Sequence, residues 1–274
     1  MSNPYFARGP TLISVSGGRT SGFMLCKVVE AHGGELPADV IPVFMNTGLE
    51  HRSTYTFLKQ LGDRVSPITW LEYRADGPPA VVDYASASRA GEPFTDLIRK
   101  VNYLPNPVTR KCTAELKVRL AAKYARDVLG WHEWSSFIGL RADEPRRVAR
   151  LRGDTTRESA SAPIAEAGHT LEDVRSFWRS MPFDLELPND DSAFGNCVGC
   201  FLKSKARLIR VERAEPGSLD WWAAAERLGL ASKPSGARFR NDRPRYEGLI
   251  QQARSQGVLF DKEDPDTIPC ACTD

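Results

Sequence analysis

Nowhere in the 274 residues does an apolar stretch approach the ~20 positions needed to cross a bilayer, so a membrane-spanning helix is excluded. Residues 1–10, with Asn3, Tyr5, Arg8 and Pro10, lack the apolar core of a signal peptide, and the expected address is the cytoplasm. Cysteine is scarce: six residues are too few for a disulfide scaffold and, in a reducing compartment, would remain thiols or bind metal. Internal repeats and low-complexity tracts are missing, which excludes solenoids and argues against extended disorder. Net charge is also small, +2 from 37 basic and 35 acidic residues, but it is unevenly spread. Residues 101–157 hold twelve basic and six acidic side chains, 158–192 two and eight, and 193–260 twelve and six. Two basic blocks thus flank an acidic one, and basic surfaces suit a polyanion as well as they suit solvated helix faces.

What is present reads as α/β. Leu12–Val15 is a short apolar run feeding a glycine pair, and Phe23, Met24, Val28 and Val29 recur at helical spacing until His32-Gly33-Gly34. Val40–Met45 and Ile68–Leu71 read as strands, with the helical face of Tyr55, Phe57, Leu58 and Leu61 between them. Residues 113–129 predict an amphipathic helix carrying Leu116, Leu120, Ala121, Tyr124 and Val128, with Thr113 as N-cap, before a strand at 134–139. Such alternation predicts a parallel sheet with right-handed crossovers. Residues 151–169 read as a long loop. Helices occupy 171–178, 201–211 and 221–228, with a loop over 182–196. The expected organisation is an α/β nucleotide-binding domain over 1–150 and a helical region bearing the cysteine site over 151–274.

Ser14-Val15-Ser16-Gly17-Gly18-Arg19-Thr20-Ser21 stands between the first strand and the first helix. Glycines there allow a tight turn and a close approach to a ligand. Amides of the first helical turn and the positive end of the helix dipole favour an anion. Ser16, Thr20 and Ser21 add hydroxyls, and Arg19 adds charge, so the segment reads as a phosphate site. It has neither the Walker spacing nor G-x-G-x-x-G.

Four ordered segments carry a family resemblance. Ser16–Ser21 resembles the S-G-G-x-x-S pyrophosphate loop of the PP-loop ATP pyrophosphatases, a superfamily that includes phosphoadenylylsulfate reductases and sulfur-transferring enzymes acting on tRNA and DNA. Phe44-Met45-Asn46-Thr47-Gly48-Leu49-Glu50 resembles the N/D-T-G-x-E motif of the reductase-like branch, with Thr54 or Thr56 after it. Thr109-Arg110-Lys111-Cys112-Thr113 through Lys117 resembles R-x-C-T-x-x-L-K, and residues 138–147 resemble G-x-R-x-D-E-x-x-R. The resemblance implies a doubly wound, mostly parallel sheet of the Rossmann-like, adenine nucleotide alpha hydrolase-like type, with a helical C-terminal part. It implies an enzyme that binds ATP with Mg²⁺ through Ser14, Ser16, Gly17, Gly18, Arg19, Thr20, Ser21, Asn46, Thr47, Gly48, Glu50, Gly139, Arg141 and Arg146. Lys117, Arg141 and Asp143 are the catalytic candidates, and Asp143 or Glu144 would orient the arginines or hold Mg²⁺. The reaction implied is adenylylation of a substrate and then sulfur transfer to a nucleobase in RNA or DNA, or to a small molecule. The alternatives are a thioredoxin-linked sulfonucleotide reductase and a non-catalytic nucleotide-binding module with a structural metal. Implied partners are an adenine nucleotide, RNA or DNA, a sulfur donor or thioredoxin-like reductant, and a second copy of the chain; no membrane is implied.

Cys197-Val198-Gly199-Cys200 is a knuckle that puts two thiols on one centre, as zinc and iron-sulfur sites require. Cys112, Cys270 and Cys272 are the candidates for the remaining ligands. By similarity to the cluster-bearing reductases a [4Fe-4S] cluster is favoured, with Cys112, Cys197, Cys200 and one of Cys272 or Cys270. Zinc on the same thiolates, a metal-free dithiol, and a nucleophilic Cys270 or Cys272 stay open. The reductases' E-C-G-x-H tail is replaced by Pro269-Cys270-Ala271-Cys272-Thr273-Asp274. Cys26 and Trp221-Trp222 read as core, His51 as a neighbour of the nucleotide site, and Arg238–Tyr246 as a solvated basic loop whose four arginines and two aromatics would also suit a nucleic-acid backbone.

Overall fold

A computed structural model describes residues 3–151, 157–232 and 237–255, without the side chains of 229–232. Its elements, in chain order, are β1 (Thr11–Ser14), α1 (Arg19–Ala31), β2 (Val40–Asn46), α2 (Arg52–Arg64), β3 (Thr69–Glu72), β4 (Ala80–Val82), α3 (Glu92–Val101), α4 (residues 111–128), β5 (Trp134–Ile138), α5 (Pro145–Val148), β6 (Glu158–Ser161), α6 (Pro163–Glu166), α7 (Leu171–Ser180), α8 (Lys205–Ala214), α9 (Asp220–Ser232) and α10 (Tyr246–Ser255). The six strands form one sheet in the order β4-β3-β2-β1-β5-β6. All neighbours are parallel except the edge pair β3–β4. This is the mostly parallel α/β sheet that the sequence pattern predicts.

Period-two alternation divides the strand residues between two faces. Ile13, Phe44 and Trp70 join α1, α2 and α7 in one core, while Leu12, Val43, Met45 and Leu71 join α3, α4 and the C-terminal helices in another. Burial on both faces explains the near-continuous apolar runs of β1 and β2. The chain winds outward from β1 through β2 to β3 and then crosses back to β5 on the other side of β1. That reversal opens a crevice at the carboxyl ends of β1 and β5, where sheets of this kind accept ligands.

Three local expectations are corrected. The helix predicted from a Thr113 cap starts two residues earlier, at Lys111, behind Arg110 in the left-handed region at φ 42°. Within α4 the α turns alternate with π turns at Ala114–Val118 and Tyr124–Val128. A π turn accommodates an extra residue and rotates the remainder of the helix about its axis; Leu116, Leu120 and Tyr124 stay buried, but Val128, placed on the apolar face by an α-helical count, is 49% exposed. Residues 151–169 are no simple loop, since β6 and α6 lie within them. The strand Glu-Ser-Ala-Ser has no apolar alternation because it is an edge, paired only with β5. The chain also contains β4, α3 and α10, which the sequence pattern does not assign.

Candidate functional site

The turn after β1 is held by its own hydroxyls. The Ser21 Oγ accepts from the Ser16 amide at 3.0 Å and donates to the Gly18 carbonyl at 3.0 Å. A hydroxyl has one proton, so across the 3.0 Å Ser16–Ser21 oxygen contact Ser16 is the donor. Gly17 sits at φ +83°, and a Cβ there would lie 2.4 Å from the Thr54 methyl on α2. Gly18 caps α1 without a side-chain bond, so the first-turn amides face outward. Gly139, at the end of β5, allows close approach from the other side: its Cβ would meet Ser21 Cα at 3.2 Å.

Residues after β5 close the crevice. Arg141 donates from Nη1 to Thr20 Oγ1 at 3.0 Å and from Nε to Asp143 at 3.0 Å, and its Nη1 lies 3.4 Å from Glu144. Glu144 also pairs with Arg147. Arg146 is exposed, and it is Arg147 that reaches the cleft. Arg19 turns back to the 184–190 loop, bonded to Asp184 at 2.8 Å, Asp190 at 2.6 Å and the Leu185 carbonyl at 2.8 Å. Its charge is therefore shared with two carboxylates, and it fastens that loop over the turn.

Two cavities meet at Ser16. One, about 120 Å³, is a slot between the strand ends and α4, lined by apolar Leu12, Val15, Val43, Met45 and Ile138 together with Ser14 and Lys117. The other, about 510 Å³, is a cleft whose floor is Ser16–Thr20 and whose walls set Arg141, Arg147, Arg175, Lys203, Arg207 and Cys200 among apolar Leu171, Val174, Leu185, Leu187 and Leu202. Ser14, Ser16, Gly17, Gly18, Arg19, Thr20, Arg141 and Lys117 thus gather around one crevice. Arg175, Lys203 and Arg207 join them without any motif having announced them, and only the basic block over 193–260 hinted at the last two.

Asn46, Thr47, Gly48 and Glu50 stand behind the wall rather than in it. Asn46, fully buried, donates to Glu72 at 2.7 Å and to the Ser88 carbonyl at 2.9 Å. Thr47 donates to Glu50 at 2.7 Å, and the Tyr55 hydroxyl donates to the same carboxylate at 3.0 Å. His51, 4% exposed, caps α2 by accepting from the Ser53 amide at 3.2 Å, which leaves its Nε2 proton for Glu215 at 3.0 Å. It does not line either cavity.

This network carries the cysteine knuckle. Glu50 forms an isolated antiparallel bridge with Cys197, the Val198 amide donates to the Leu49 carbonyl at 2.9 Å, and Cys197 Sγ lies 3.3 Å from Thr47 Oγ1. Burial, reinforced by the Glu50 charge, pushes the Cys197 thiol well above its ordinary pKa against the opposing pull of Lys117. Lys203, 8% exposed, donates to the carbonyls of Ala193, Gly195, Cys197 and Val198 at 2.6 to 2.9 Å. Tyr246 on α10 donates to the Gly199 carbonyl at 2.6 Å. Cys200 is left at the surface of the cleft, and Cys112, at the start of α4, packs against the same core as Cys197.

Among the described residues no three of His, Cys, Asp and Glu converge so as to hold a metal ion. Cys270 and Cys272 lie outside the described residues. Asp143 and Glu144 are engaged with arginines and offer Mg²⁺ no ready pair of carboxylates. No described helix is long and apolar enough to cross a membrane.

No family model matches the chain. Solved structures similar to it include phosphoadenylyl-sulfate reductase from Candida auris in a phosphate complex, at TM-score 0.42 and 14% identity over 65% of this chain and 76% of that one. Another is the U34-tRNA thiolase NcsA from Methanococcus maripaludis with its [4Fe-4S] cluster, at TM-score 0.38 and 11% identity over 96% of this chain and 79% of that one. In sequence, 216 residues are 31% identical to the uncharacterized nin region protein ORF290 of Escherichia phage lambda, covering 75% of this chain and 70% of that protein, and the chain belongs to the family of that phage protein.

Proposed function

We propose that this protein is an ATP-dependent enzyme that adenylylates an acceptor and completes a sulfur transfer in the same cleft. The observation that carries the reading is that the Ser16–Thr20 turn and the Cys200 thiol line one cavity of about 510 Å³. The apolar slot beside Ser14 and Ser16 suits an adenine ring, and the amides of the turn suit the phosphates. An acceptor oxygen attacks the α-phosphorus, the bond to the β-phosphate oxygen breaks, and pyrophosphate leaves with the electron pair. Arg141, beside Thr20, and Lys117, in the slot, offset the charge that develops. A sulfur nucleophile then displaces adenylate from the activated carbon, and the C–O electron pair departs with the phosphate.

The described residues do not by themselves complete a metal centre, and no step here passes through one. Cys197, buried and protonated, and Cys200, open to the cleft, are two thiols of such a donor set; a [4Fe-4S] cluster or zinc requires further ligands such as Cys112 and Cys270 or Cys272. The basic blocks favour a nucleobase in RNA or DNA as acceptor.

Calorimetry with ATP tests the reading. We expect one site per chain, and Gly17→Ala weakening it at least about tenfold, or 1.4 kcal/mol, because the new methyl meets Thr54 in a backbone region hostile to side chains. Ser21→Ala, which removes the buried hydroxyl bracing the turn, should weaken binding and also cost about 1–3 kcal/mol of stability, because the Ser16 amide and the Gly18 carbonyl lose this partner. Wild-type protein without affinity for ATP overturns the proposal.

A further inference from the structure

Six cationic side chains line the large cleft against two carboxylates, Glu144 and Asp190. Both carboxylates are committed, Glu144 to Arg141 and Arg147 and Asp190 to Arg19. Also in the lining are Arg175 of α7, which is exposed, and Arg207 of the first turn of α8. Neither makes a side-chain hydrogen bond or ion pair with the described residues. Glu172, one turn before Arg175, feels its charge but is bonded to Arg179 at 2.7 Å. Arg207 is half-buried, with its backbone amide fixed by the Ser204 cap at 3.3 Å. Two arginines from different helices thus line the same cavity as the turn that would hold the nucleotide's own phosphates. Nothing in the nucleotide reading uses them.

We infer that Arg175 and Arg207 form a second phosphate site, which holds a backbone phosphate of an unpaired nucleic-acid strand while its neighbouring base reaches the Ser16–Thr20 turn. This deepens the proposed function, whose acceptor it specifies. Guanidinium forks match phosphate oxygens in geometry and keep their charge at any physiological pH. A cavity of about 510 Å³ admits a nucleotide or two but no duplex, so the base must be unpaired or turned out of its stack. The exposed basic side chains Arg146 and Arg150 neighbour the cleft residue Arg147 in the chain and add charge for flanking phosphates.

The test is fluorescence anisotropy of a labelled single-stranded oligonucleotide against the full-length protein over a salt series. Wild type is expected to bind with an affinity that falls with salt. The variants R175Q and R207Q should each lower the log-log slope by about 1, and the double variant should weaken binding at least about tenfold at low salt. R179Q, on the same helix but outside the cleft, should bind like wild type. A strand of the same bases with an uncharged methylphosphonate backbone should not bind. Equal binding of charged and uncharged strands, wild-type affinity in the double variant, or an equal loss in R179Q each overturns the site. If wild type binds no ATP yet strand binding depends on Arg175 and Arg207, the proposed function fails and this site stands. If ATP is bound and turned over but the double variant holds the strand normally, this inference alone fails.

Discussion

Lys203 is the side chain on which the cysteine knuckle depends most directly. Its ammonium has three protons and serves four carbonyls of the 193–198 segment at 8% exposure, so it replaces the hydrogen bonds that this segment would otherwise take from water. Replacing it by methionine keeps the length and removes every donor. We expect Lys203→Met to destabilise the fold by about 3 kcal/mol or more, since several buried acceptors lose their partner at once, and to raise the rate at which iodoacetamide labels Cys197. Urea unfolding and mass-mapped alkylation check both outcomes; unchanged labelling would mean that the knuckle is held by Glu50 and Tyr246 alone. No sequence signal marks Lys203, because a lysine three residues after a C-x-x-C reads the same whether its head is buried or in water. Gly17 is the opposite case: a glycine pair between an apolar strand and a helix announces its turn in a handful of residues.

Among the elements, α2 shows how burial converts a cap into a pH-sensitive group. His51 accepts from the Ser53 amide and donates to Glu215, which requires the neutral ring protonated on Nε2. Burial is the largest influence and lowers its pKa below the ordinary 6.5, against the upward pull of Glu215. The unfolded chain therefore binds a proton that the folded chain lacks in the window below 6.5. Stability from this group is complete above that window and is lost as pH falls through it. We expect the denaturant midpoint to drop on acidification from about pH 7 to 5, and His51→Asn, which keeps a capping side chain, to flatten that part of the profile. A profile unchanged by the substitution would place the acid-sensitive group elsewhere. The elements themselves were legible where periodicity is strong, as in α1, β2 and α2. They were illegible where the pattern depends on neighbours: β6 is polar because it is an edge, and α4 shifts register through π turns that no residue type signals.

For the molecule as a whole, the second core runs without a break from Leu12, Val43 and Leu71 of the sheet through Phe94 to Phe201, Trp222, Phe239 and Tyr246. Trp222, 1% exposed, packs against Phe94, Phe239 and Tyr246 with ring centroids 5.0 to 5.6 Å apart. Cutting it to alanine should cost about 3–5 kcal/mol. Because the core is shared, the loss should appear in one transition, with tryptophan fluorescence and far-ultraviolet circular dichroism coincident. Two separated transitions would instead support the two-domain division at residue 150 expected from sequence. The C-terminal helices matter to the site through this core, since α10 reaches the knuckle by the Tyr246–Gly199 bond and α8 carries Arg207.

The alternation of strands and helices and the tight glycine turn after the first strand were written into short stretches of chain. Glycine placement and apolar spacing act over a few residues and need no distant partner. Long-range packing was required to make Asn46–Glu50 the buried support of Cys197, to hold His51 against Glu215, and to bring Cys200, Arg175 and Arg207 into one cavity with Ser16. Those facts depend on which strand ends and helix termini the sheet order brings together, and proximity across well over a hundred residues of chain is set by packing, which no local pattern encodes.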